Sequence, residues 1–120
     1  MGRKHNLSLN MLVSSSATIS GDMSASITSR EIDCSETDKA SIHGSWTAGP
    51  VGEFQVQVKV NDNDNWTPLS TGIPWEVDGS DSEMMIVLVE MPFKLLRVVW
   101  TPTSGSGTLS LFMNEKSVGA

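Results

Sequence analysis

The sequence predicts an all-β protein: a single antiparallel β-sandwich, jelly-roll-like, of about eight strands behind an extended N-terminal arm. Three observations predict it. Apolar residues recur with period two in short stretches, as in strands that bury one face. Gly, Pro, Asn and Asp cluster between those stretches at short intervals. No stretch carries the apolar repeat of a helix, while Ser, Thr, Gly and Asn accompany a hydrophobic share of 38%, a composition suited to many turns.

Taken in order, residues 1–16 read as the arm and residues 17–120 as the sandwich domain. In the arm Leu7, Leu9, Met11 and Val13 alternate with Asn6, Ser8, Asn10 and Leu12, so it can add as a strand to its own sheet or to a neighbour's. Ala17 to Thr28 continues the alternation through Ile19, Gly21, Met23, Ala25 and Ile27, with a kink expected near Gly21-Asp22. Arg30 to Lys39 is the most charged local stretch; Ser35-Glu-Thr-Asp38 suits either one helical turn or a loop. Ala40 to Thr47 sets Ile42, Gly44 and Trp46 on one face and Ser41, His43 and Ser45 on the other. After the turn Ala48-Gly-Pro-Val-Gly52, the stretch Glu53 to Val60 points Phe54, Val56, Val58 and Val60 inward and Glu53, Gln55, Gln57 and Lys59 outward. Asn61-Asp-Asn-Asp-Asn65 is a turn, Trp66 to Leu69 a short strand, and Gly72 to Val77 another extended piece. Glu83 to Met91 carries Met85, Val87 and Val89 on one side and Met84, Ile86, Leu88 and Glu90 on the other. Phe93 to Thr101 and Thr108 to Met113, separated by Ser104-Gly-Ser-Gly107, read as a hairpin whose first strand is apolar on both faces.

At 120 residues the chain is long enough for one core of its own. Its net charge of -6 argues against nucleic-acid binding through the main surface, since phosphate contacts need clustered Lys and Arg. Arg3, Lys4 and His5 concentrate positive charge at the N-terminus. The single cysteine, Cys34, permits no intrachain disulfide and has no metal-ligand spacing around it, which points to an inert buried thiol. Leu7 to Val13 is too short and too polar for a secretory apolar region, and no run has the length to span a bilayer. The expectation is a soluble protein made in a reducing cytoplasm, without membrane contact.

Candidate chemistry is sparse. Asn61-x-Asn63-x-Asn65 mimics a calcium loop, but Trp66 and Gly72 stand where that loop needs glycine and glutamate. The acidic loop Asp78-Gly-Ser-Asp-Ser-Glu83 reads as solvated. Neither His5 nor His43 has a nucleophile or carboxylate at a triad or metal spacing. No catalytic residue, metal site or cofactor is expected. Trp46 and Trp100 belong to the core by parity. Trp66 and Trp75, in or near loops, are the residues on which a glycan would stack if the chain were a carbohydrate binder; otherwise they cap the core or meet another subunit.

Ser41-Ile-His-Gly-Ser-Trp-Thr47, Gly52-Glu-Phe-Gln-Val-Gln-Val58, Asn61-Asp-Asn-Asp-Asn-Trp66 and Met91-Pro-Phe-Lys-Leu-Leu-Arg-Val-Val-Trp-Thr-Pro-Thr-Ser-Gly-Ser-Gly-Thr-Leu-Ser-Leu111 follow one another in this order. The pattern, over about residues 40–113, resembles small β-sandwich structural proteins of tailed bacteriophages, and in part discoidin-like and carbohydrate-binding sandwiches. Lys59-Val-Asn-Asp62 departs from the short Ser-Asn-Asp turn of that pattern. The resemblance implies a non-enzymatic virion protein, with no catalytic residues to carry over.

The leading expectation is a capsid decoration or cement protein. It would act as a homo-oligomer bound to the major capsid protein or other virion proteins, many modest contacts adding by multivalency. Leu7, Leu9, Met11 and Val13 would supply apolar contacts, and Arg3 and Lys4 would meet acidic capsid surface. A glycan-binding adhesion module using Trp66 and Trp75, or a neck or baseplate adaptor, are the alternatives.

Overall fold

The computed structural model describes residues 5–14, 17–69 and 75–117. Among them are ten strands and no helix: β1 (His5–Asn10), β2 (Ile27–Thr28), β3 (Ile32–Asp33), β4 (Lys39–Trp46), β5 (Val51–Lys59), β6 (Thr67–Pro68), β7 (Trp75–Asp78), β8 (Glu83–Leu88), β9 (Leu95–Ser104) and β10 (Leu109–Ser117). They form two antiparallel sheets packed as a β-sandwich, as the period-two pattern predicts.

One sheet has the order β1-β10-β4-β8; the other has β2-β9-β5-β6, with β3 also on β9 and β7 also on β5. In the second sheet each outer lane is broken in two. β2 and β3 pair with Trp100–Val99 and Leu96–Leu95, along the same edge of β9. Between them Ser29 keeps the ladder satisfied: its N–H donates to the Val98 carbonyl, and its hydroxyl accepts from Val98 N–H at 2.8 Å. β6 and β7 likewise share the far edge of β5. Two sheets of four lanes thus correspond to the expected eight strands.

β4 and β8 show the clean alternation that the sequence carries, with Ile42, Gly44 and Trp46 buried on β4 and Met84, Ile86 and Leu88 on β8. Burying each large apolar side chain contributes about 1.5–3 kcal/mol, so this alternation determines which face turns inward. The core is bridged by aromatics. Phe54 of β5 lies 5.5 Å from Trp46 of the opposite sheet and 4.8 Å from Trp100 of β9, all tilted. Both indole N–H groups are satisfied within the fold, Trp46 donating to the Asp81 carbonyl and Trp100 to the Met23 carbonyl.

Several expectations are corrected. The Phe93–Met113 stretch is an arch, because β9 and β10 lie in different sheets. β9 is occupied on both edges by β5 and by β2 and β3, while β10 is occupied by β4 and β1. The chain crosses the sandwich at Gly105, whose φ of +78° suits glycine. The strand begins at Leu95, not Phe93, and its outward residues Leu95, Arg97 and Val99 are half-buried, so only the Leu96, Val98, Trp100 face is fully covered. Ala17 to Thr28 is not one strand. Met23 and Ile27 are buried as the parity implies, but regular pairing is confined to β2, with bridges at Thr18 and Asp22. Ser35 to Asp38 is a loop. Val60 faces solvent, because β5 ends at Lys59. Of the stretch 1–16 set apart as an arm, β1 pairs along its length with β10 and is a strand of the sandwich itself. The expected boundary at residue 16, and residues 70–74 before Trp75, lie outside the described residues.

Candidate functional site

Two surfaces stand out. The first is the outward face of the β1-β10-β4-β8 sheet. Antiparallel register places Phe112, His43 and Met85 in one cross-strand row, and Asn114, Ser41 and Val87 in the next. Met85 is 49% exposed, Val87 64%, Val89 67% and Phe112 42%. Met85, Val87 and Phe112 come from the solvent-facing parity of β8 and β10, and Val89 follows the end of β8, positions where polar side chains are the rule. β8 is also an edge: among the described residues no strand pairs with its outer side. Grooves flank its end, one lined by Lys39, Ser41, Val87, Val89 and Lys116, the other by Leu69, Val87, Val89, Pro92 and Phe93.

The second surface is the outward face of the other sheet. The half-buried Trp66 ring has the Arg97 guanidinium 4.3 Å and the Lys59 ammonium 4.9 Å from its centroid. Arg97 Nε donates to Gln57 Oε1 at 2.8 Å, and Gln57 Nε2 donates to Gln55 Oε1 at 2.8 Å. Trp75 is not part of this surface. It pairs directly with Phe54 and packs on the core, so it shares the inner face. The two tryptophans considered for glycan stacking are therefore on opposite faces of one sheet, and the Trp66 ring already holds two cations.

The N-terminal contact residues separate in the same way. Met11 is fully buried, which removes it from any intermolecular surface; Leu9 packs against the core; Leu7 and Val13 remain exposed at 48% and 42%. Arg3 and Lys4 lie outside the described residues.

The remaining polar groups are tied locally. His43 Nε2 meets Glu83 Oε2 at 3.2 Å on the open sheet face, a carboxylate forty positions away that linear spacing did not suggest. The Asn61–Asp64 turn closes on itself: Asn61 Oδ1 accepts Asn63 N–H, and Asp64 Oδ2 accepts Asn61 N–H. Asp62 takes Lys94 Nζ at 3.0 Å. Asp22, Asp33 and Asp78 each accept from the serine two residues on, and these bonds lower their carboxyls below the usual aspartate range. Burial, reinforced by the Glu115 and Asp33 carboxylates, pushes the Cys34 thiol up to about 12, so it is a neutral core group. Among the described residues no group of three His, Cys, Asp or Glu is placed to hold a metal, and no helix is long and apolar enough to cross a membrane.

No family model and no curated protein matches the sequence. Among solved structures, the SPBc2 prophage-derived protein YomS shares the fold, with a TM-score of 0.61 at 12% identity over 98% of this chain and 97% of that one. Chitosan-binding module 1 of a chitosanase/glucanase from Paenibacillus sp. IK-5 aligns with a TM-score of 0.48 at 15% identity, over 94% and 93%. The resemblance to phage β-sandwich proteins thus has a counterpart in three dimensions in the fold of the prophage-derived protein.

Proposed function

We propose that this chain is a non-enzymatic structural protein of a phage virion that assembles with copies of itself, most specifically a decoration or cement protein on the major capsid protein. The observation that carries the reading is the β8 edge, unpaired among the described residues, with Met85 and Val87 exposed on it and Val89 exposed just past its end. Edges left free in solution normally carry lysine, proline or a bulge, and Glu83–Leu88 has none of these. Antiparallel pairing with β8 of a second copy about a two-fold at Val87 sets Met85 opposite Val89, Ile86 opposite Leu88 and Glu90 opposite Met84. No like charges meet, and the same patch serves both copies. The fold shared with a prophage-derived protein supports a phage setting. The structural employment of Cys34, of the aspartates and of the loop amides supports a non-catalytic role.

Exposed Leu7 and Val13, with the basic Arg3 and Lys4, are the proposed capsid-facing residues. Deleting residues 1–14 would not test them, because it removes β1 and the core residue Met11. Substituting Leu7 and Val13 by serine does. Co-sedimentation with heads of the encoding phage is the readout: loss of occupancy in Leu7→Ser/Val13→Ser supports the contact, and full occupancy removes these residues from it.

A further inference from the structure

We propose that Lys59, Arg97 and Gln55, arranged around Trp66 on the outer face of the six-stranded sheet, form an anion-binding site for the carboxylates of an acidic polypeptide segment. The site lies on the sheet opposite β8 and does not depend on the self-association proposed above.

The Arg97 guanidinium carries donors only. Because Arg97 Nε faces the Gln57 amide at 2.8 Å, the atom receiving it is the oxygen. Gln57 therefore turns its Nε2 toward Gln55, and the atom it meets at 2.8 Å is again the oxygen. Both amides are oriented by one guanidinium. The chain leaves a set of donors pointing outward: Gln55 Nε2, the two Arg97 Nη groups and Lys59 Nζ. Gln55, Gln57 and Lys59 alternate on one face of β5, so the donor row runs about 13 Å at strand rise.

Among the described residues no carboxylate lies within ion-pair distance of Lys59 or Arg97, although the chain carries 14 acidic residues. Asp62 pairs with Lys94, and Asp64, which shares a groove with Lys59, accepts from Asn61 N–H. Glu53 stands at the other end of the row, opposite Glu76. Trp66 holds both like charges against its ring, and so acts as a positioning residue. Donors without free acceptors suit a ligand that only accepts. Asp and Glu carboxylates only accept and can form charge-assisted bonds with the Arg97 fork and Lys59, whereas neutral sugar hydroxyls gain no ion pair from these cations.

The test is a titration of the isotope-labelled full chain with an oligoglutamate peptide and, separately, with oligogalacturonate. Indole and side-chain amide resonances report the site, and the buried Trp100 indole reports the fold. The expected result is that oligoglutamate binds more tightly, shifting Trp66 and Gln55. Arg97→Gln or Lys59→Gln should weaken it about tenfold, Trp66→Ala should do likewise, and Trp66→Phe should restore most of it. Binding should fall steeply with salt. Preferred binding of oligogalacturonate would overturn the polypeptide assignment in favour of a glycan. No binding of either, or affinity unchanged in the variants while Trp100 is unmoved, would overturn the site.

Discussion

Asp22, at an isolated β-bridge, and Asp33 and Asp78, the last residues of β3 and β7, do the same thing. Each carboxylate takes the backbone N–H of the serine two residues on, and Asp22 and Asp78 take its hydroxyl as well. The repeated Asp-x-Ser spacing was present in the sequence; the acids there read only as solvated. Because folding lowers these pKa values, the unfolded chain binds more protons as the pH falls through the aspartate range. Their stabilisation is present above about pH 4 and is lost below it. Urea midpoints should therefore fall on acidification, and Ser80→Ala should flatten that fall. Cys34 has the opposite sign. Its raised pKa favours the neutral thiol in the fold, so its contribution is lost as pH rises from about 9 toward about 12. At pH 8 iodoacetamide should leave Cys34 unmodified in the native protein and label it in urea, as mass spectrometry would show. At this scale the core was legible: parity alone assigned Trp46 and Trp100. The surroundings of Trp66 were not, because Lys59 and Arg97 become neighbours only through the β5–β9 ladder.

β4, β5 and β8 were legible as elements because each turns one apolar face to a single core, and period two follows directly from that. The link between β9 and β10 was not. Thr101-Pro-Thr-Ser-Gly-Ser-Gly107 serves equally well as a hairpin turn or as an arch, and the choice depends on which distant strands occupy the edges. The arch makes a specific prediction. A Cβ on Gly105 would meet the Gly49 carbonyl oxygen at 2.6 Å with φ at +78°, so Gly105→Ala should lower stability by about 1–3 kcal/mol, read by chemical denaturation. The N-terminal stretch makes another. Its alternation allowed pairing within the chain or with a neighbour, and pairing with β10 puts Met11 in the core. Met11→Ala should cost about 2–5 kcal/mol, whereas Leu7→Ala, at a half-exposed site, should cost far less. Equal costs would mean that β1 is not anchored as described.

The whole molecule is an acidic sandwich whose two outer faces differ in character. One bears an apolar edge, unpaired among the described residues; the other bears an aromatic ring carrying two cations. A protein built to assemble has use for both, since repeated copies turn modest contacts into a stable shell. Sedimentation velocity measures the proposed self-association through β8. The wild-type chain should sediment as an oligomer at micromolar concentration. Val87→Lys, which places a charge at the centre of the edge, should sediment as a folded 12.9 kDa monomer. A wild-type chain that stays monomeric across the concentration range, or a Val87→Lys variant that remains oligomeric, would contradict it.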